Sequence, residues 1–365
     1  MIVREMGPLM RPNENPLEAW MRHMRRGRFE AAWEVSERAR RFGPARPDPM
    51  LPRHLQTVWD GTPLAGRRVL VRCYHGLGDT LQFVRYLPLV KATAAEMTVW
   101  AQPELLPLLR TAAGIDRLLP LHDGAPQTRF DTDVELMELP FVLRTTLAGI
   151  PADIPYLHVR PVPRPAGCGR VAVGLLWQSG DWDPRRSLPT AALAPLARVP
   201  QVEYYILQQG AARREIGFGV PSGAEDLYNL ARLMRGLDLV ITVDTMAAHL
   251  AGALGVPVWT LLQRQADWRW LEGRDDSPWY PTMRLFRQER AGEWEPVVAC
   301  VAAALSALTP PSPPAVLRRA ADSRRPPGAG ARCVRPRRCG APSPRASARP
   351  RPRHTPRRHS TPGGP

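Results

Sequence analysis

From Arg67 to Leu308 the chain alternates short, wholly apolar runs with amphipathic stretches, and this alternation restricts it to an α/β fold built on parallel strands. Runs such as Val69-Leu70-Val71 and Leu239 to Val243 carry no polar residue at every second position, so both of their faces must be covered. Parallel strands meet that need, because the helices joining them lie on the sheet faces. A first group comprises Val69 to Cys73, Met97 to Trp100, Arg117 to Leu121 and Thr132 to Leu136. The segment Val159 to Gly169, rich in Pro, Arg and Gly, has linker composition. A second group follows, with strands at Val171 to Trp177, Glu203 to Leu207, Leu239 to Val243 and Val256 to Leu262. Its helices are expected at Leu227 to Gly236, Thr245 to Leu254 and Trp294 to Leu308.

Ahead of these, residues 16 to 42 read as a helical hairpin. Leu17, Trp20, Met21 and Met24 form one apolar stripe, Phe29 and Trp33 the next, and Gly27 marks the turn. Gly27, Phe29, Ala32, Ala39 and Pro44 resemble the second half of a tetratricopeptide unit, although one unit makes no solenoid. The expected organisation is a hairpin over 1–59, one α/β domain over 60–158, a second over 159–309, and a tail over 310–365.

The tail changes how the charge is read. A net charge of +16 on 365 residues suggests a nucleic-acid binder, but from Pro310 onward 14 Arg face the single Asp322, which accounts for +13 and leaves +3 for the rest. Specific nucleic-acid binding by the α/β part is therefore not expected. Runs such as Arg349-Pro350-Arg351-Pro352-Arg353 hold too few apolar side chains to offset ordering entropy, so the tail is expected to be disordered. Its Cys333, Cys339, His354 and His359 have a loose zinc-module spacing but lack the apolar residues that fold such modules. The five cysteines, Cys73, Cys168, Cys300, Cys333 and Cys339, are scattered and odd in number, pointing to a reducing compartment and the cytoplasm. No stretch approaches the roughly 20 apolar residues that span a bilayer, so any membrane contact is peripheral.

In tandem α/β units, ligands bind where strand carboxyl ends meet helix N-termini. Two loops stand there. The first, His75-Gly76-Leu77-Gly78-Asp79-Thr80, lacks the Gly-Lys-Ser/Thr of a P-loop and has Leu81 where a dinucleotide fingerprint needs glycine. Asp79, three residues before Gln82, fits a helix-capping pattern. The second runs from Thr242 to His249, where Asp244 is a candidate N-cap. The amides of Thr245, Met246 and Ala247, with about half a positive charge from the helix dipole, suit an anion, and His249 stands one turn on. Arg185 and Arg186, on the loop flanked by Trp177 and Ser179, are solvated charges or phosphate ligands. Glu225 and Asp226 either favour a helix dipole or reach ribose hydroxyls. Two Asp-x-Asp triplets, Asp131 to Asp133 and Asp181 to Asp183, are poor evidence for a metal. Trp268, Trp270, Trp279 and Tyr280 are core residues more readily than stacking platforms.

Along the chain stand Gly76 to Phe83, Val173-Gly174-Leu175-Leu176-Trp177 with Arg186-Ser187, Val243-Asp244-Thr245 with His249 to Gly255, Asp267-Trp268-Arg269-Trp270, and Ser277-Pro278-Trp279-Tyr280-Pro281. In order and spacing these pieces resemble glycosyltransferase family 9, the heptosyltransferase-like group, and in particular members joined to tetratricopeptide repeats. The chain departs from the family pattern at Gln178-Ser179-Gly180 and at Tyr228-Asn229. The resemblance implies a GT-B fold, two Rossmann-like domains facing across a cleft, and an inverting, metal-independent transfer of a sugar from a nucleoside diphosphate. It implies Asp79 as general base, with Gly76, Gly78 and Thr80 in its loop. Asp244, Thr245, Met246, His249, Arg186, Trp177 and Ser179 would lie around the donor. No cofactor is implied beyond the nucleotide sugar; the acceptor is a glycan, a lipid-linked saccharide or a protein, and heptose is the family's namesake donor. The competing reading is a degenerate transferase acting as a non-catalytic binding module.

Overall fold

The computed structural model describes residues 9–42, 61–163, 169–210 and 216–308. The expected tail, its four Cys and His residues and Cys168 lie outside the described residues.

The hairpin forms as its sequence predicts. Asn15 caps α1 (Pro16–Arg25) in a reciprocal box: its Oδ1 accepts the Glu18 N–H at 2.9 Å and a Glu18 carboxylate oxygen accepts the Asn15 N–H at 3.2 Å. Gly27, at φ +67°, turns the chain into α2 (Phe29–Phe42). A Cβ at Gly27 would stand 2.9 Å from Leu147, so the turn needs glycine on two counts. One member of the expected stripe is on the wrong side: Leu17 is 69% exposed, while Met24 is buried as expected and Ala19 and His23 are buried beside it.

The first sheet follows from four strands. β1 (Arg68–Arg72) leads through α3 (Leu77–Phe83) and α4 (Leu87–Lys91) to β2 (Glu96–Ala101). Next come α5 (Leu106–Leu109), β3 (Arg117–Pro120), β4 (Thr132–Glu135) and α6 (Leu139–Val142). The order is β3-β2-β1-β4, all parallel, with Val69 opposite both Met97 and Thr132.

The second sheet begins at β5 (Val171–Leu176), followed by α7 (Ala194–Ala197), β6 (Val202–Ile206), β7 (Val220–Pro221) and α8 (Leu227–Met234). It continues through β8 (Leu239–Val243), α9 (Met246–Ala253), β9 (Val258–Leu262), β10 (Met283–Arg287) and α10 (Glu295–Leu308). Its order is β10-β9-β8-β5-β6-β7, again parallel throughout. Two strands were not expected from sequence, the two-residue β7 and β10. Both are edge strands; β10 carries Arg284 and Arg287 among its apolar residues because one side of it meets solvent. The fold is thus α/β, with two parallel sheets and a helical hairpin in front, as the GT-B resemblance implies.

One apolar core runs through the whole assembly. It joins the hairpin (Met24, Phe29, Trp33), the first sheet (Val69, Val99, Val134), the helices α8 and α9, and the segment Trp268 to Tyr280. A second core, under α7 and α10, covers the other face of the second sheet through Trp177, Ile241 and Val301. The hairpin is welded into the first core: Trp20 meets Trp268 edge-on at 5.4 Å and Phe29 stacks on Trp279 at 6.1 Å. Trp33 Nε1 donates to Thr145 O at 2.7 Å and Glu272 N to Arg25 O at 2.8 Å. At the centre of this core the Tyr280 ring lies flat on Gly252 of α9, where a Cβ would come within 2.2 Å of the ring. Gly252→Ala should destabilise the protein by about 1–3 kcal/mol or more through overpacking, measured as a lower urea midpoint at unchanged m-value.

Candidate functional site

The strand orders place the site. Counted from its own first strand, the second sheet runs sixth, fifth, fourth, first, second, third, so chain direction reverses between β5 and β8. In the first sheet the reversal lies between β1 and β4. Ligands of such sheets sit beyond the strand carboxyl ends at these switch points. The loops after β1, β5 and β8 converge there on a cleft of about 800 Å³.

One wall of the cleft is the loop His75 to Asp79. Gly76 is the N-cap of α3 and Asp79 is its third residue, so Asp79 is not the cap with Gln82 as its partner. The Gly76 N–H instead donates to Asp79 Oδ2 at 3.0 Å. Asp79 Oδ1 accepts from Arg269 Nη2 at 2.6 Å. Arg269 is buried, and its Nε donates to Gln82 Oε1 at 2.7 Å and its Nη1 to Asp267 Oδ1 at 2.8 Å. The carboxylate is thereby fixed from two sides, while each oxygen keeps a lone pair for a further donor. His75 stands beside it, with Nε2 2.6 Å from Glu135, an ion pair that raises the imidazole pKa.

The facing wall is the N-terminus of α9. Thr245, not Asp244, is its cap: Thr245 Oγ1 accepts the Ala247 N–H at 3.1 Å. Asp244 is buried at the end of β8; burial first, and the Asp267 carboxylate second, push its pKa up to about 6. Its carbonyl accepts from Arg186 Nη1 at 3.1 Å, which brings that guanidinium to the mouth of α9. His249 is buried one turn in, stacked on Trp270 at 5.2 Å, with Nδ1 2.9 Å from Tyr280 Oη. Burial, then the positive charges of Arg269, Arg85 and Arg186, lowers its pKa well below the usual imidazole value, so the ring is neutral near pH 7. A neutral ring has one donor and one acceptor nitrogen, and with Nδ1 at the tyrosine hydroxyl Nε2 is the nitrogen left for a ligand.

Gly78 brings the two walls together. A Cβ there would lie 2.9 Å from the His249 ring and 3.3 Å from Met246 Cα, so only glycine lets the Asp79 loop come this close to α9. Gly76, Gly78, Asp79, Arg186, Asp244, Thr245, Met246 and His249 all line the cleft.

Three of the expected site residues do not. Thr80 is buried, with its hydroxyl donating to Gln102 Oε1 at 3.0 Å. Trp177 is buried in the core under α10 because it directly follows β5 and continues the alternation by which Val173 and Leu175 face that core. Ser179 shapes its own loop: its hydroxyl lies 3.2 Å from both Gly180 O and Asp183 O and the same distance from Ser187 Oγ. Trp268, Trp270, Trp279 and Tyr280 are core residues, and Asp226 caps α8 through the Asn229 N–H at 2.7 Å. In the Asp-x-Asp triplets, Asp131 pairs with Arg68, Asp133 with Arg72, and Asp183 with Arg185 and Gln263.

Sequence reasoning assigned no role to Arg269 or Asp267, although both sit in a quoted motif, and gave Gln82 only a capping role, whereas its side chain bonds Arg269. It also left out Met21 and Arg25 of α1, which line the cleft. Gln208 was missed as well; its Oε1 accepts the Trp177 and Gln178 N–H groups at 3.3 and 3.0 Å and holds the loop after β5 open.

No protein-family model matches the chain. Its sequence is 31% identical over 327 residues to Protein FlbA of Caulobacter vibrioides, covering 76% of this chain and 52% of that protein. The chain therefore spans about half the length of the curated relative it matches. Among solved structures it is similar to the glycosyl transferase family 9 from Veillonella parvula, with 14% identity, a TM-score of 0.48, and coverage of 62% of this chain and 87% of that one. E. coli heptosyltransferase WaaC with ADP-2-deoxy-2-fluoro heptose aligns at 15% identity and a TM-score of 0.44 over 66% of this chain and 99% of that one. E. coli ADP-heptose lps heptosyltransferase II aligns at 12% identity and a TM-score of 0.44, covering 66% and 98%.

Proposed function

We infer that the chain is an inverting glycosyltransferase that moves a sugar, heptose being the family's namesake, from a nucleoside diphosphate to an acceptor hydroxyl. The observation that carries this reading is the contact at Gly78, which sets a fixed carboxylate, Asp79, across one cleft from the anion-binding end of α9. A base and a leaving-group site face to face suit a displacement at the carbon between them.

In this reading the acceptor binds against the first α/β unit, 60–158, and the nucleotide sugar against the second, 159–309. The acceptor oxygen attacks the anomeric carbon and Asp79 takes its proton. The bond from that carbon to the diphosphate oxygen breaks on the opposite face, inverting the centre, and the diphosphate leaves with the electron pair. Its growing charge is met by the Thr245 hydroxyl, the first-turn amides of α9, His249 Nε2–H and Arg186. Neutral His249 contributes a hydrogen bond and not a charge, and the cation is supplied by arginine. The reading calls for no metal and no cofactor besides the donor. The acceptor class is a glycan, a lipid-linked saccharide or a protein side chain, and the reaction is assigned to the cytoplasm. Among the described residues no helix is long and apolar enough to cross a membrane.

A thermal-shift screen of ADP, UDP, GDP and CDP tests the donor half. One of them should stabilise the wild type by about 2.7 kcal/mol at a hundred times its Kd. Thr245→Val and His249→Ala should each weaken that binding about tenfold, the worth of one hydrogen bond to a charged group. Stabilisation by none of the four would sink the reading. Asp79→Asn should bind the same nucleotide and release diphosphate from the sugar donor at least about 100-fold more slowly. A normal rate in that variant would leave a binding module as the better account.

Protonation gives a separate check. The folded pKa of Asp244, about 6, lies above its ordinary 3.8, so the native state holds a proton that the unfolded chain releases. Its contribution to stability is complete below about pH 4 and is lost as the pH rises to about 6, a change of roughly 3 kcal/mol. His249, with a lowered pKa, acts in the opposite sense and costs stability as the pH falls below about 6.5. Subtracting the wild-type stability curve from that of Asp244→Asn removes the histidine contribution. The variant should gain relative to the wild type between pH 4 and 6, and a flat difference would refute the assignment.

A further inference from the structure

The last turn of α1 carries more positive charge than its neighbours neutralise. Arg22 is paired, with Nε 2.7 Å from Glu14 and Nη2 3.1 Å from Leu9 O, and Arg26 lies 3.9 Å from Glu272. His23 Nε2 is 2.8 Å from Leu9 O. Arg25, between them, differs. Its Nε is buried with no hydrogen-bond partner, and none of the ion pairs among the described residues includes it. Its side chain lines the cleft together with Met21.

Arg25 as a whole is only half-buried and reaches the cleft, and a guanidinium fork is the group that matches a carboxylate or a phosphate. The donor diphosphate already has its ligands at Thr245, His249 and Arg186. Arg25 comes instead from the hairpin, which packs on the segment holding Arg269, the residue that fixes Asp79. Met21, Met137 and Asp79 line the cleft with it, as does His75, whose ring is paired with Glu135. A molecule whose hydroxyl reaches Asp79 would lie on this surface, with methionines for its apolar parts. We propose that Arg25 binds a carboxylate or phosphate carried by the acceptor, so that the acceptor is anionic and the hairpin is part of its binding site. The proposal rests on the glycosyl-transfer reading.

The test uses the full chain with its preferred nucleoside diphosphate bound and three probes of one sugar frame: glucose, glucuronate and glucose 6-phosphate. At least one anionic probe should bind about tenfold or more tightly than glucose by calorimetry or ligand-detected NMR. Preference for glucuronate assigns a carboxylate, and preference for glucose 6-phosphate a phosphate. R25Q should erase the preference, and R25K, which keeps the charge without the fork, should retain part of it. The Arg25 carbonyl that accepts the Glu272 N–H is untouched by either change. Equal binding of all three probes to the wild type, binding of none, or a preference that survives R25Q overturns the proposal. Failure of the wild type to bind any nucleoside diphosphate counts instead against the transfer reading, so the two failures are told apart.

Discussion

The Arg269 guanidinium is the interaction on which the site depends. It bonds Asp79 and Gln82 of α3 on one side and Asp267 of the loop after β9 on the other. A buried cation is stable only when its donors are met, and removing one partner of such a group costs far more than the pair contributes. The loop of the first sheet and the loops of the second are therefore positioned by the same side chain. The cleft between them is a consequence of that clamp and of Gly78, which lets the clamped surfaces close to van der Waals distance.

A second buried cation completes the frame and sets the electrostatics of the ligand end. Among the described residues Arg85 has no carboxylate partner. Its donors go to the carbonyls of Gln82, Pro151 and Trp279 and to Tyr156 Oη, and its Cζ lies 4.5 Å from the Tyr280 ring centroid and 4.7 Å from that of Tyr156. Because no acid neutralises it, its charge is felt by His249 through the intervening tyrosine, together with those of Arg269 and Arg186. Burial first, and then the same cations that hold the core together, keep the histidine neutral, while Arg186 brings a positive charge to the helix mouth.

What the sequence made legible follows the range of the interactions. Strands such as Leu239–Val243 could be located to the residue because a parallel strand buried on both faces must be apolar throughout, a purely local signal. The edge strand Met283–Arg287 escaped because half of its surroundings are water and its pattern is broken by arginines. The two caps were each displaced, from Gly76 to Asp79 and from Thr245 to Asp244, because several residues at a helix start satisfy the same local rule and only geometry selects one. Arg269 was illegible for a different reason: its partners Gln82 and Asp79 are 187 and 190 residues away, and nothing near Arg269 in sequence signals them. Thr80, Trp177 and Ser179 illustrate the converse, since residues adjacent in sequence to a cleft also shape or support its loops without lining it.

The hairpin is the element whose meaning changes most between sequence and structure. Read locally, its spacing resembles one unit of a repeat array, and such units stack on copies of themselves. In the fold its aromatic face is already occupied: Trp20, Phe29 and Trp33 bury against Trp268, Trp279 and Phe141. Withdrawing the hairpin would uncover Trp268 and Trp279, the first next to Arg269 in the chain and the second bonded to its carbonyl, and so weaken the packing around the clamp that holds Asp79. Met21 and Arg25 follow from this placement, because a helix packed against the segment 268–270 has to present its last turn to the cleft beside it. The hairpin belongs to the site by the same packing that makes it part of the core.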